Sequence, residues 1–198
     1  MNNNPGNETT SSKLSSPKLI GALRNNIPNM IWMAAIFIAA TAAGYYNPEA
    51  VPKWLIADAM ETIKKMDNAW RDNLIAGAGA YFGQMALYLY VGFALGIATS
   101  IPSVYMMLST ALLTGAIAAT KGGNLAGAYP NTIPDALEVA AMWVALSWGA
   151  KLGIAWFHKP RLKNAKEAFM EGNMVFLKVV LPLLAAALTF RIVFGTGL

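Results

Sequence analysis

Apolar residues in this chain come in long blocks, not in the strict alternation of a half-buried strand. Five such blocks, at about 27–46, 74–98, 102–119, 136–157 and 174–194, are each long enough to cross a ~30 Å hydrocarbon layer as a helix. The break between the second and third is only Thr99-Ser100-Ile101-Pro102, which predicts an antiparallel helical hairpin. Pro102 suits the first helical position, where its missing N–H does no harm. Between the third and fourth blocks, KGGNLAGAYPNTIPD is rich in Gly, Asn and Pro and reads as loop. Nothing in the pattern calls for a strand. The expected fold is an all-α, polytopic membrane helix bundle with about five transmembrane helices.

Two stretches break this pattern. In 52–73 the apolar residues Leu55, Ala59, Ile63, Met66 and Trp70 recur at steps of three and four, with Asp58, Glu61, Lys64, Lys65 and Arg71 between them. That spacing makes an amphipathic helix, and the flanking Trp54 and Trp70 suit the headgroup level of a bilayer. The same pattern also fits a helix packed on its own protein or continuous with the next span. Residues 1–19 are polar and of low complexity, and read as a disordered tail before a membrane domain at 20–198. Ala40-Thr41-Ala42 resembles a signal-peptide cleavage site, but the polar leader before the first block is long, and the block reads as a retained helix.

Composition sharpens the class. Hydrophobic residues make up 56% and charged residues 13%, with a mean hydropathy of +0.43. An ordinary soluble domain carries roughly 25% charged residues, so a typical water-soluble enzyme or binding module is excluded. The formal net charge of +5 reports orientation in such a protein. Lys13, Lys18 and Arg24 lie before the first span, and Lys159, Arg161, Lys163 and Lys166 lie in the connection 158–173, read as a loop. Five spans put both segments on one side, which the positive-inside rule makes cytoplasmic. The expectation is a multi-pass protein of the cell membrane with its N-terminus cytoplasmic and its C-terminus outside.

The absence of cysteine and a single histidine, His158, exclude disulfides, thiolate nucleophiles and a Cys/His zinc site within the chain. Ionisable residues inside spans are Glu138, Lys151, Lys178 and Arg191. Asp135 as N-cap with Glu138 near the third helical position resembles a capping box, while the three cations can snorkel toward an interface. The spans hold no Ser–His arrangement, no paired carboxylates, no phosphate loop and no dinucleotide fingerprint, so the expected enzyme, metal and cofactor content is none. Gln84 and Glu138 remain the polar intramembrane candidates. The more informative pattern is small residues at i, i+4: Gly79 with Gly83, Gly92 with Gly96, and Gly149 with Gly153. Such pairs let helix backbones approach closely.

The order of elements from the second to the fourth span resembles the stage II sporulation protein M family of polytopic membrane proteins. A polar residue sits early in a Gly-rich span, here Gln84 in FGQMALYLYVGFALG, and a span ending in small residues follows, here LSTALLTGAIAA. Then comes a proline segment leading to a glutamate and another Gly-rich span, here IPDALEVAAMWVALSWGAKLG with Pro134 and Glu138. Two family features differ: Asp135-Ala136 replaces His–Gly, and Ser109-Thr110 replaces Asn–Gly. The resemblance implies a non-catalytic organiser that holds other proteins in a membrane complex. The expectation is therefore a scaffold or accessory subunit, with a small transporter or channel as the alternative. Its expected partners are the lipid bilayer and other integral membrane proteins or further copies of itself, and not nucleic acid.

Overall fold

The computed structural model describes residues 16–130 and 132–194, without the side chains of residues 16–18, 66–67, 69–72 and 194. Helix α1 spans Ser16–Tyr46, so the last residues of the stretch expected as tail are helical, while 1–15 lie outside the described residues. Helix α2 covers Lys53–Asp72 and α3 covers Leu74–Ala94, extended by a 3-10 turn at Leu95–Ile97. Helices α4 (Ile101–Thr120) and α5 (Ile133–Phe157) follow. Helix α6 (Arg161–Val175) runs through a π-helical segment, Phe176–Val180, into α7 (Leu181–Phe194). Among the described residues there is no strand, and five helical stretches are long and apolar enough to cross a membrane. Large apolar side chains such as Ile31, Trp32, Leu87, Tyr105 and Leu177 point outward, an arrangement that suits acyl chains and not water.

Helix α5 is the centre of the bundle. Of its most apolar window 61% is buried, against 28% for each of the other four. It touches α1, α3, α4, α6 and α7. Glycine explains how it fits there. A methyl group on Gly149 would overlap the Ser103 hydroxyl, one on Gly96 would overlap the Gly149 carbonyl, and one on Gly153 would overlap the backbone at Thr99 and Ser100. The Ser103 hydroxyl donates to the Gly92 carbonyl at 2.8 Å and the Ser100 hydroxyl to the Ala150 carbonyl at 2.9 Å. Backbones of α3, α4 and α5 are thus in direct contact around the α3–α4 turn, held by packing and hydrogen bonds that do not need a hydrophobic effect.

A second close seam joins α1 to α4, the most extensive helix pair. Gly115 faces the carbonyl of Thr41, and Gly44 faces the carbonyl of Leu112. Each glycine lies four residues after an alanine, Ala40 or Ala111, that is itself fully buried. These are small-xxx-small pairs with alanine in the first place, which a search for Gly-x-x-x-Gly alone passes over.

The connection 158–173 is not a loop. It is α6, antiparallel to the end of α5, with Ala165 and Gly172 buried and Phe169 packed on Phe93 at 5.6 Å between ring centres. Its Lys, Arg and Asn content hides a helical stripe of small and aromatic residues. Helix α2 also packs on its own protein: its Ile56, with Val51 just before the helix, is buried against Ala116 of α4, while Trp54 is exposed. The Trp70 side chain lies outside the described residues. Asn73 separates α2 from α3, its side chain accepting from the Ala76 N–H at 3.0 Å.

Gly115→Leu is expected to lower stability by at least ~1–3 kcal/mol, because overpacking a close crossing displaces backbone. Gly79→Leu, at a position with no described atom within 4 Å of the added Cβ, is expected to change it by less than ~0.5 kcal/mol. Thermal unfolding of the detergent-solubilised variants checks both.

Candidate functional site: one guanidinium shared by two carboxylates beside a cavity

The charged residues of the spans do not sit apart. Helix α5 starts where α7 ends, since the two run antiparallel, and Arg191 near the end of α7 reaches the first turns of α5. Its Nε donates to Glu138 Oε1 at 2.9 Å, and its Nη2 donates to Glu138 Oε2 at 3.1 Å and to Asp135 Oδ1 at 2.7 Å. The Arg191 side chain is only 9% exposed and Glu138 13%, with Asp135 more open at 35%. The guanidinium carbon lies 5.8 Å from the centre of the Tyr81 ring on α3. This fork fits the planar, bidentate preference of arginine for carboxylate, which lysine would not reproduce.

The capping box expected at Asp135 is replaced by a different start. Thr132, in extended conformation, is the N-cap, and its hydroxyl accepts from the Asp135 N–H at 3.3 Å. Pro134 occupies the first turn, so the helix begins earlier than the charge pattern alone suggested. Asp135 and Glu138, three apart, then share one face and are free to meet Arg191. Arg191 does not snorkel, and neither does Lys151, whose Nζ donates to Glu171 of α6 at 2.6 Å and lies 4.3 Å from the Trp148 ring centre.

Next to this cluster is a cavity of about 610 Å³ between α2, α3, α4, α5 and the loop before α5. Its walls are mostly apolar, with Gln84, Tyr88, Thr110, Thr114, Asp135 and Glu138 as the polar exceptions. The two polar intramembrane candidates, Gln84 and Glu138, therefore face one space from different helices. Tyr88 and Thr110 share a hydrogen bond of 2.7 Å across α3 and α4. Thr114 donates to the Thr110 carbonyl at 2.8 Å and Ser109 to the Met106 carbonyl at 3.2 Å, each satisfied on its own helix. Ser147 differs: buried, it accepts from the Asn26 amide at 2.9 Å and ties α1 to α5.

The six glycines divide. Gly92, Gly96, Gly149 and Gly153 meet in the seam described above, whereas Gly79 and Gly83 have no described atom within 4 Å of an added Cβ. Thirteen residues separate Gly79 from Gly92, so at ~100° per residue the two pairs of α3 point about 140° apart. Tyr81 and Thr62 were not singled out from sequence, while Ile63 was read only as part of the apolar stripe of α2 and Arg191 only as a cation able to snorkel. For Arg191 a signal existed: two acids open the fourth span, and one cation lies near the end of the fifth, on the same side.

A family model described as stage II sporulation protein M matches residues 30–189. The chain belongs to this family. The match extends beyond the second-to-fourth-span interval to include most of α1 and α7. No curated protein and no solved structure matches the chain. Gln84, Asp135 and Glu138 lie inside the family match, and Arg191 lies just past its end. Together with the apolar helices, membership identifies a multi-pass membrane protein.

Removing Arg191 leaves two carboxylates against an apolar interior. Arg191→Met is expected to destabilise the protein by about 3–5 kcal/mol, and adding Glu138→Leu and Asp135→Asn to recover most of that loss. Thermal unfolding of the single and triple variants decides it; equal losses in both would mean that the ion cluster does not carry the effect.

Proposed function

We propose that this protein is a non-catalytic membrane scaffold, an accessory subunit that packs against other integral membrane proteins. The observation that carries this reading is the open Gly79–Gly83 face of α3. Ile75, Gly79, Gly83, Leu87, Val91 and Leu95 follow one another at i, i+4, all exposed. Two glycines between large apolar residues form a shallow groove in which a second membrane helix finds close backbone contact. The chain uses the same device internally at Gly92 and Gly149, so the outward copy has the geometry of a helix-packing surface without an internal partner among the described residues. The organising role implied by the family resemblance points the same way.

The proposed orientation puts the N-terminus and the start of α6 on the cytoplasmic side and the α4–α5 loop outside, following the Lys and Arg excess before α1 and in the first turns of α6. A second reading, a small transporter or channel, is favoured by the cavity with Gln84 on its wall.

Mild detergent extraction followed by native-size analysis and mass spectrometry of co-migrating chains tests the scaffold reading. A large particle with other membrane proteins in fixed ratio is expected, dissociating in Gly79→Leu/Gly83→Leu while that variant keeps its thermal stability. A particle of this chain alone overturns it, and substrate flux in liposomes that is lost in Gln84→Ala would support the transporter. Because the chain has no cysteine, single-cysteine variants report orientation directly. Lys121→Cys is expected to react with a membrane-impermeant thiol reagent from outside the cell and Lys163→Cys to be protected; the reverse pattern inverts the topology.

A further inference from the structure

The cavity has a chemical polarity that the scaffold reading does not use. Most of its wall is apolar, including Leu113 and Ile117 of α4 and Met142 of α5, while Gln84, Asp135 and Glu138 supply polar groups from α3 and α5. Its volume of about 610 Å³ lies within the ~300–1,000 Å³ range of small-molecule sites. Two features call for an occupant with a particular head. Asp135 and Glu138 share the single guanidinium of Arg191, so the cluster carries two formal negative charges against one positive. The first turn of α5 offsets about half a charge and leaves the cluster negative. Separately, Gln84 lies midway along the apolar α3, exposed on the cavity wall, and its amide has no hydrogen-bond partner among the described residues. A bare amide in hydrocarbon is costly unless a polar group meets it.

We propose that the cavity binds a single-chain amphiphile with a protonated amine head. The amine occupies the Gln84, Asp135 and Glu138 end, completing the charge of the cluster and donating to the Gln84 carbonyl. The hydrocarbon chain lies along Leu113, Ile117 and Met142. A fatty acid, with its anionic head, is rejected by the same carboxylates; a fatty alcohol makes the hydrogen bonds but leaves the charge unmet. The proposal is independent of the scaffold reading, since a resident amphiphile requires neither a protein partner nor transport.

The test uses the full chain in lipid nanodiscs and a dodecylamine bearing a mid-chain photoreactive diazirine, with mapping of the labelled peptides. Labelling is expected to concentrate on the α4 and α5 segments that line the cavity. Excess dodecylamine is expected to compete, dodecanol weakly and dodecanoate not at all. Gln84→Ala and Glu138→Gln are each expected to cut labelling about tenfold, as for loss of a hydrogen bond to a charged group. Since Glu138→Gln also touches Arg191, Thr62→Trp serves as a second variant, filling the cavity from the partly exposed α2 and expected to abolish labelling in a folded protein. Labelling spread over outward residues such as Ile75 and Leu87, labelling unchanged in Thr62→Trp, or competition by dodecanoate equal to that by dodecylamine would each overturn the proposal.

Discussion

Direct backbone contact at the α3–α4 turn is the constraint on which the rest of the bundle depends. Helices in a bilayer gain little by hiding apolar surface from equally apolar lipid, so their association rests on close packing and hydrogen bonds. Gly96, Gly149 and Gly153 remove every side chain that would hold α5 away from the hairpin, and Ser100 and Ser103 add hydroxyl bonds across the gap. With α5 anchored there, its other end is free to diverge. Toward that end the large side chains of Met85, Tyr88, Leu113 and Met142 line the space between the helices, where the cavity lies. Around α5 the contact is thus closed by glycine near the α3–α4 turn and propped by side chains at the cavity, while the Gly44 and Gly115 seam holds α4 to α1 at that second level.

The Arg191 cluster belongs to the open end for the same reason. A charge inside an apolar bundle needs a partner, and the first turns of α5 supply two carboxylates where the helix dipole already favours negative charge. Arg191 thereby joins α7 to α5 at the end away from the α3–α4 turn. Lys151 and Glu171 do the corresponding work toward the other end, between α5 and α6. Each intramembrane pair links the central helix to the α6–α7 rod, so α5 is held by glycine contacts on one flank and by ion pairs on the other.

These features bear on function through what they leave unused. Gly92 and Gly96 are consumed inside the bundle; Gly79 and Gly83, on the same helix, face outward. Gln84 and Glu138 face a common cavity, and among the described residues Glu138 has a side-chain partner in Arg191 while Gln84 has none. Among the described residues, the Gly79–Gly83 face of α3 and the Gln84 amide are thus left without a partner from the bundle itself.

Much of the architecture was legible in the chain because it follows from local quantities. The length of each apolar block sets how many helices can span, and the four-residue break before Ser103 can only be a hairpin. The start of α5, the helical nature of α6 and the Ala40–Gly44 and Ala111–Gly115 pairs were also written locally, but in weaker code: a threonine cap before a proline, a small-residue stripe under lysines, alanine standing for glycine. Other features were not local at all. Which of three identical glycine spacings packs inward depends on the rotation of α3 against α5, fixed by every contact along both helices. That Arg191 lies within 3 Å of carboxylates more than fifty residues earlier depends on where two antiparallel helices end beside each other. Sequence determined what must lie in the membrane; the tertiary structure decided which polar groups meet there, because pairing across helices is set by their relative rotation and depth, and no single helix encodes either.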